Sequence, residues 1–170
     1  MIINIYINMI KYIIKQLGRS TNVSNNQHNY LKTVYKYIKR IKKQRKYHEA
    51  LALSCIAISA CANYKYPKEK LDSKKFIAFI KSNFSTYCSI GFPGIQASLI
   101  MIYDEFSNKH ISYEEMIYKK IRCSLIHEAD IPNIIFSKET EIGNYNKNTK
   151  LPISIIDMLN KMASDYLKDI

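Results

Sequence analysis

The sequence predicts an all-α bundle of about five to six helices, with room for a small hairpin within residues 133–150. Three observations lead there. Only four Gly and four Pro occur in 170 residues, too few for a fold made of many tight turns. The apolar fraction of 47% is that of a chain with a real core. Apolar residues also recur at helical spacing over most of the length. The size suits one domain, 1–170, and neither an internal repeat nor a long linker divides it.

Met1 to Leu17 is the first expected helix, with apolar residues at 2, 6, 9, 13 and 17 forming a stripe. Asn4, Asn8, Lys11 and Lys15 interrupt it, so a packed amphipathic helix is expected rather than a signal or a membrane anchor. Gly18 to His28 reads as a polar loop. From Tyr30 a second helix places Leu31, Val34, Tyr35, Ile38 and Ile41 on one face and basic residues on the other. Glu49 to Ala62 is apolar almost all round, the mark of a helix buried in the middle of a bundle, and Pro67 closes the turn after it.

Ser73 to Phe84 is the next amphipathic segment, carrying Phe76, Ile77, Phe79 and Ile80. Gly91 to Gly94 makes a turn, and Ile95 to Phe106 is expected to be helical. Ser112 followed by Glu115 is a capping box that opens a helix containing Met116, Ile117, Ile121, Leu125 and Ile126, stopped by Pro132. Pro152 suits the first turn of a last helix whose stripe is Ile155, Met158, Leu159, Met162, Tyr166 and Ile170.

Charge is distributed unevenly. Eleven of the 26 basic residues precede Glu49, which is the first of the 14 acidic ones. Nearly all of the net charge of +12 therefore comes from the first 48 residues. Lys36, Lys39, Arg40, Lys43 and Arg45 are the nucleic-acid-binding candidates, with Tyr35, Tyr37 and Tyr47 interleaved to stack a base. A solvated lysine-rich helix face is the competing reading. Cys55, Cys61, Cys88 and Cys123 form no CxxC pair, and no His stands at ligand spacing from one. No metal and no cofactor is expected, and free thiols fit a reducing, cytoplasmic setting. His28, His48 and His110 read as surface or helix-end residues.

Arg122 and His127 form the most site-like pair. On an ideal α-helix a five-residue step turns about 140° and rises about 7.5 Å, so the two do not stack. A neutral imidazole can accept or give a proton near neutral pH, and a guanidinium can hold a phosphate. Together they suit metal-independent RNA cleavage, with two copies supplying both an acid and a base. Structural roles compete: Arg122 can pair with Glu115 or Glu128, and a His favours a helix C-terminus.

The stretch Tyr118-Lys119-Lys120-Ile121-Arg122-Cys123-Ser124-Leu125-Ile126-His127-Glu128 resembles the signature of HEPN domains, helical bundles carrying an Arg, four to six residues, then a His. The resemblance extends to the Ala/Cys-rich helix Leu51 to Ala62 and to Phe76–Ile80, and so spans roughly residues 30 to 130. It implies a dimeric endoribonuclease of toxin–antitoxin or defence type, with Arg122 as phosphate binder and His127 as general acid/base. The alternative it admits is a non-catalytic RNA-binding or adaptor module, in some members partnered with a nucleotidyltransferase, whereas an antitoxin is the partner that the toxin reading implies. Active members usually place Asn, Asp or His directly after the Arg, where this chain has Cys123. Glu128 is the other residue placed to orient the imidazole.

Overall fold

A computed structural model describes residues 25–88, 95–104, 107–128, 133–138, 143–145 and 148–168. At 25–28, 30, 125–128, 143–145 and 148 the description is of the backbone alone. The expected helix over Met1 to Leu17 lies outside the described residues.

Three helices follow one another first: α1 (Asn25–Lys43), α2 (Tyr47–Lys65) and α3 (Asp72–Tyr87). α2 is buried nearly all round and touches α1, α3, the α5 helix described below and the helical segment before it. Ala50, Ala57, Ala60, Cys55 and Cys61 keep its surface small, which lets neighbouring helices approach closely. α1 buries one face only, through Leu31, Val34, Ile38 and Ile41. α3 contributes Phe76, Phe79, Ile80 and Phe84. Asn25–His28 already belong to α1, so the polar loop expected as far as His28 does not include those four residues.

Arg45 makes the sharp turn from α1 into α2. Its φ is 60°, in the left-handed region that glycine favours. The Lys46 amide donates to the Ile41 carbonyl at 3.2 Å and the Arg45 amide to Lys42 at 2.9 Å. This pair of bonds is a Schellman cap with an arginine where glycine is usual.

The all-α expectation is corrected by two small sheets. The helix expected over Ile95–Phe106 is instead a single 3-10 turn (Ala97–Leu99) leading into β1 (Met101–Asp104), which pairs antiparallel with β2 (Lys109–Ser112). Along β1 exposure alternates: Met101 and Tyr103 face out while Ile102 and Asp104 face in. A continuous apolar run such as 99–103 fits either period, and tertiary contact selected period two. Asn108, with φ 50°, closes the hairpin in a conformation that asparagine tolerates.

The second sheet has the order β3–β5–β4. β4 (Gly143–Tyr145) and β5 (Asn148–Pro152) run antiparallel, and β3 (Ile134–Ser137) joins β5 in parallel. Pro152 ends β5 rather than starting the last helix. It pairs with Ser137 beyond the reach of β4, so its missing amide leaves the β4 ladder intact.

Between the sheets, Ser112 opens α4 (Tyr113–Met116), where its amide donates to Glu115 Oε2 at 3.3 Å within the capping box. α4 widens at once into a π-helical segment, Ile117–Glu128. The last helix is α5 (Ser154–Tyr166), packed on α2 through Ile155, Met158, Leu159 and Met162. Edge-to-face rings stitch the layers: Phe79 on Tyr166 at 5.4 Å and Phe84 on Tyr113 at 5.5 Å.

A non-glycine residue in the left-handed region costs roughly 1–2 kcal/mol, partly offset in glycine by its looser unfolded chain. Arg45→Gly is therefore expected to stabilise the fold by about 1 kcal/mol, a rise in Tm of about 2–4 °C. Differential scanning calorimetry measures this, and an unchanged or lower Tm would contradict the strain assigned to Arg45.

Candidate functional site

The Arg122 guanidinium is not open to solvent. Arg122 is only 8% exposed, and its Nη2 donates to Asp72 Oδ2 at 2.6 Å. Asp72 opens α3, and its side chain is 40% exposed. The guanidinium also lies over the Tyr118 ring at 5.2 Å, and Tyr118 in turn tilts against Phe76 at 5.5 Å. Asp72 and Phe76 are four apart on α3, and Tyr118 and Arg122 are four apart on the π-helical segment. The two pairs meet as rungs between these elements. Sequence reasoning offered Glu115 or Glu128 as partners for Arg122. The structure shows a partner in Asp72, fifty positions earlier, which no local signal marks.

The helical type changes the geometry expected of the Arg–His pair. In a π-helix the backbone bonds run i to i+5, so a residue five positions on lies about one turn away. The His127 backbone therefore stands one turn beyond Arg122, not on the far side of the helix. The side chains of His127 and Glu128 lie outside the described residues.

Cys123 is half-buried beside Tyr118, whose hydroxyl pKa is raised by burial while the Arg122 charge works against that rise. Cys55, from the centre of α2, lies within electrostatic range of both Arg122 and Cys123. Burial pushes its thiol up to about 12, against the pull of Arg122. Burial likewise lifts Cys61 to about 12. Both thiols stay protonated near neutral pH and pack as small apolar groups. All four cysteines are free.

The same segment sends a second cation elsewhere: Lys120 pairs with the buried Asp104 of β1 at 3.0 Å. Among the described residues no group of three His, Cys, Asp or Glu could hold a metal ion. His48 packs edge-on against Phe136 at 5.0 Å and His110 against Tyr103 at 5.4 Å, both well away from Arg122 in sequence. The His28 side chain lies outside the described residues.

The other candidate surface is the outer side of α1. Lys36, Lys39, Arg40, Lys43 and Arg45 are all exposed, and so is Lys32. Lys39 Nζ sits 4.7 Å from the Tyr35 ring centroid and the Arg40 guanidinium 4.8 Å from that of Tyr37. Tyr47 instead tilts against Phe136 at 5.4 Å and faces the β3 strand. Among the described residues, Lys42 is the residue of α1 that forms an ion pair, with Asp157 of α5. No described helix is long and apolar enough to cross a membrane.

Removing Asp72 leaves a buried guanidinium without its counter-ion, a loss of about 3–5 kcal/mol for a fully buried pair and less here because Asp72 reaches solvent. Asp72→Ala is expected to cost about 2 kcal/mol in urea denaturation. The double variant with Arg122→Met should cost no more than Arg122→Met alone, giving a coupling of about 2 kcal/mol. Simple additivity of the two substitutions would contradict the pairing.

No curated protein and no solved structure matches this chain. One family model does, over residues 32–163, from the middle of α1 almost to the end of α5. That match covers more than three quarters of the 170 residues, so the chain belongs to the Rv1289 family.

Proposed function

We propose that this protein binds RNA through the outer face of α1. One observation carries the reading: a row of exposed cations at Lys32, Lys36, Lys39 and Lys43 on a helix whose only described ion pair is that of Lys42. The first 48 residues contain no carboxylate side chain to neutralise it. Such a row attracts a polyanion and gains affinity from the counterions that the polyanion releases. The side chains that make it are long and exposed, which suits contact with phosphates rather than recognition of a particular sequence.

Binding of this kind is strongly salt-dependent. With about four phosphates neutralised, a plot of log affinity against log salt for a single strand falls with slope of about −3. Combining Lys36→Gln with Lys43→Gln should flatten that slope by about 1.4 and weaken binding without unfolding the protein. Fluorescence anisotropy with labelled RNA over a salt series tests it. An affinity indifferent to salt, or unaltered in the double variant, would refute the assignment to α1.

A second reading, metal-independent RNA cleavage by a homodimer, is favoured by the π-helical register that sets His127 one turn from Arg122. The likeness of Tyr118–Glu128 to the HEPN signature also supports it. In this reading the incoming phosphate competes with Asp72 for the Arg122 guanidinium. RNA incubated with the protein in EDTA should then be cleaved, and His127→Ala should abolish cleavage while leaving binding intact. Products that persist in the His127→Ala protein, or that require Mg²⁺, exclude it.

A further inference from the structure

The cations of α1 are ordered relative to one ring. At 100° per residue, Lys32, Lys36, Lys39 and Lys43 fall within a strip about 60° wide that runs about 16 Å along the helix. Leu31, Val34, Ile38 and Ile41 define the buried side. Tyr35 comes between the two, on the same flank as Lys42, whose ion pair to Asp157 identifies that flank as the one beside α5.

Tyr35 differs from most other tyrosines of the fold. Tyr37, Tyr47, Tyr64, Tyr66, Tyr87, Tyr118 and Tyr166 all pack against the core, and Tyr113 is part of it. Tyr35 is half-buried yet does not belong to that set among the described residues. Its described ring contact is the Lys39 ammonium at 4.7 Å. A second cation stands close by. The Lys168 pKa is raised, first by its bond to Asp165 and, among smaller effects, by the neighbouring Tyr35 and Tyr87 hydroxyls. Tyr35 is therefore an aromatic surface beside Lys39 on the flank of the lysine row, within electrostatic range of the Lys168–Asp165 pair just beyond α5.

We propose that α1 takes single-stranded rather than duplex RNA, with phosphates along the Lys32–Lys43 row and one base stacked on Tyr35 beside Lys39. This inference rests on the RNA-binding reading of the same face. Bases in a duplex are stacked on each other and offer no free face to a side chain. The A-form major groove is also too deep and narrow for side chains to read. An aromatic ring set beside a row of cations is the arrangement that holds an unstacked base and its backbone together. The Lys39 ammonium now over the ring is no obstacle. An exposed cation–π contact is weaker than a base–aromatic stack, and the freed ammonium is already within the row that meets the phosphates.

The test uses the full chain and three labelled probes in low-salt anisotropy: a short oligouridylate, a duplex RNA of equal charge, and the abasic counterpart of the oligouridylate. The oligouridylate should bind more tightly than the other two. Tyr35→Ala should weaken its binding about tenfold and leave duplex and abasic binding unchanged. Tyr35→Phe, which keeps the ring, should bind as the parent does, and circular dichroism checks that both variants are folded. Equal affinity for single strand and duplex, or an oligouridylate affinity untouched by Tyr35→Ala, overturns this inference while RNA binding stands. Binding of none of the three probes, or binding of phosphatidylserine vesicles alone, overturns the RNA-binding reading and this inference with it.

Discussion

Burial of α2 on nearly every side is the constraint from which the rest of the arrangement follows. A helix with apolar residues all round must be covered by several partners, and here α1, α3, α5 and the π-helical segment supply the cover. Each partner gives α2 one face and keeps another for other contacts. For α1 the given face is Leu31, Val34, Ile38 and Ile41, which leaves the lysines no place but outside. For the π-helical segment it is Ile117 and Ile121, with Arg122 drawn inward beside them.

Drawing a guanidinium into the interior has consequences. An unpaired buried charge is costly, and arginine stays charged, so a counter-ion has to be found within reach. Asp72 at the first turn of α3 provides it, and the Tyr118 face shields the other side. The protonated Cys55 thiol behind them keeps the deep wall of the site neutral. Asp72 retains a solvent-facing side, whereas Arg122 itself is covered. Structural and chemical roles for Arg122 thus share one geometry, and what separates them is whether a phosphate can displace the Asp72 carboxylate.

The two candidate surfaces differ in kind. The α1 face is a row of exposed cations beside the half-buried Tyr35 ring. Arg122, by contrast, is a single covered cation held in an ion pair on a π-helical segment. A wide helical turn is rare and often accompanies function, and here it alters which residues share a turn.

The amino-acid sequence by itself determined much of the helical frame. The all-round apolarity of 49–62, the one-sided stripe of α1, the Ser112–Glu115 capping box and the eleven early cations each follow from local pattern. Those features depend on residues a few positions apart, where spacing alone carries the physics. Tertiary structure decided the remainder. Whether 99–103 became helix or strand, and whether Pro152 ended a strand or began a helix, turned on strand partners that no local window contains. The pairing of Arg122 with Asp72 joins residues fifty apart. The π-helical register, not the sequence spacing, set the backbone distance from Arg122 to His127. The flank of α1 that carries Tyr35 and Lys42 came to lie by α5 only when the two helices packed together. Short-range order was legible because it is encoded by short-range spacing, and the candidate sites were only partly so because they are assembled from distant segments.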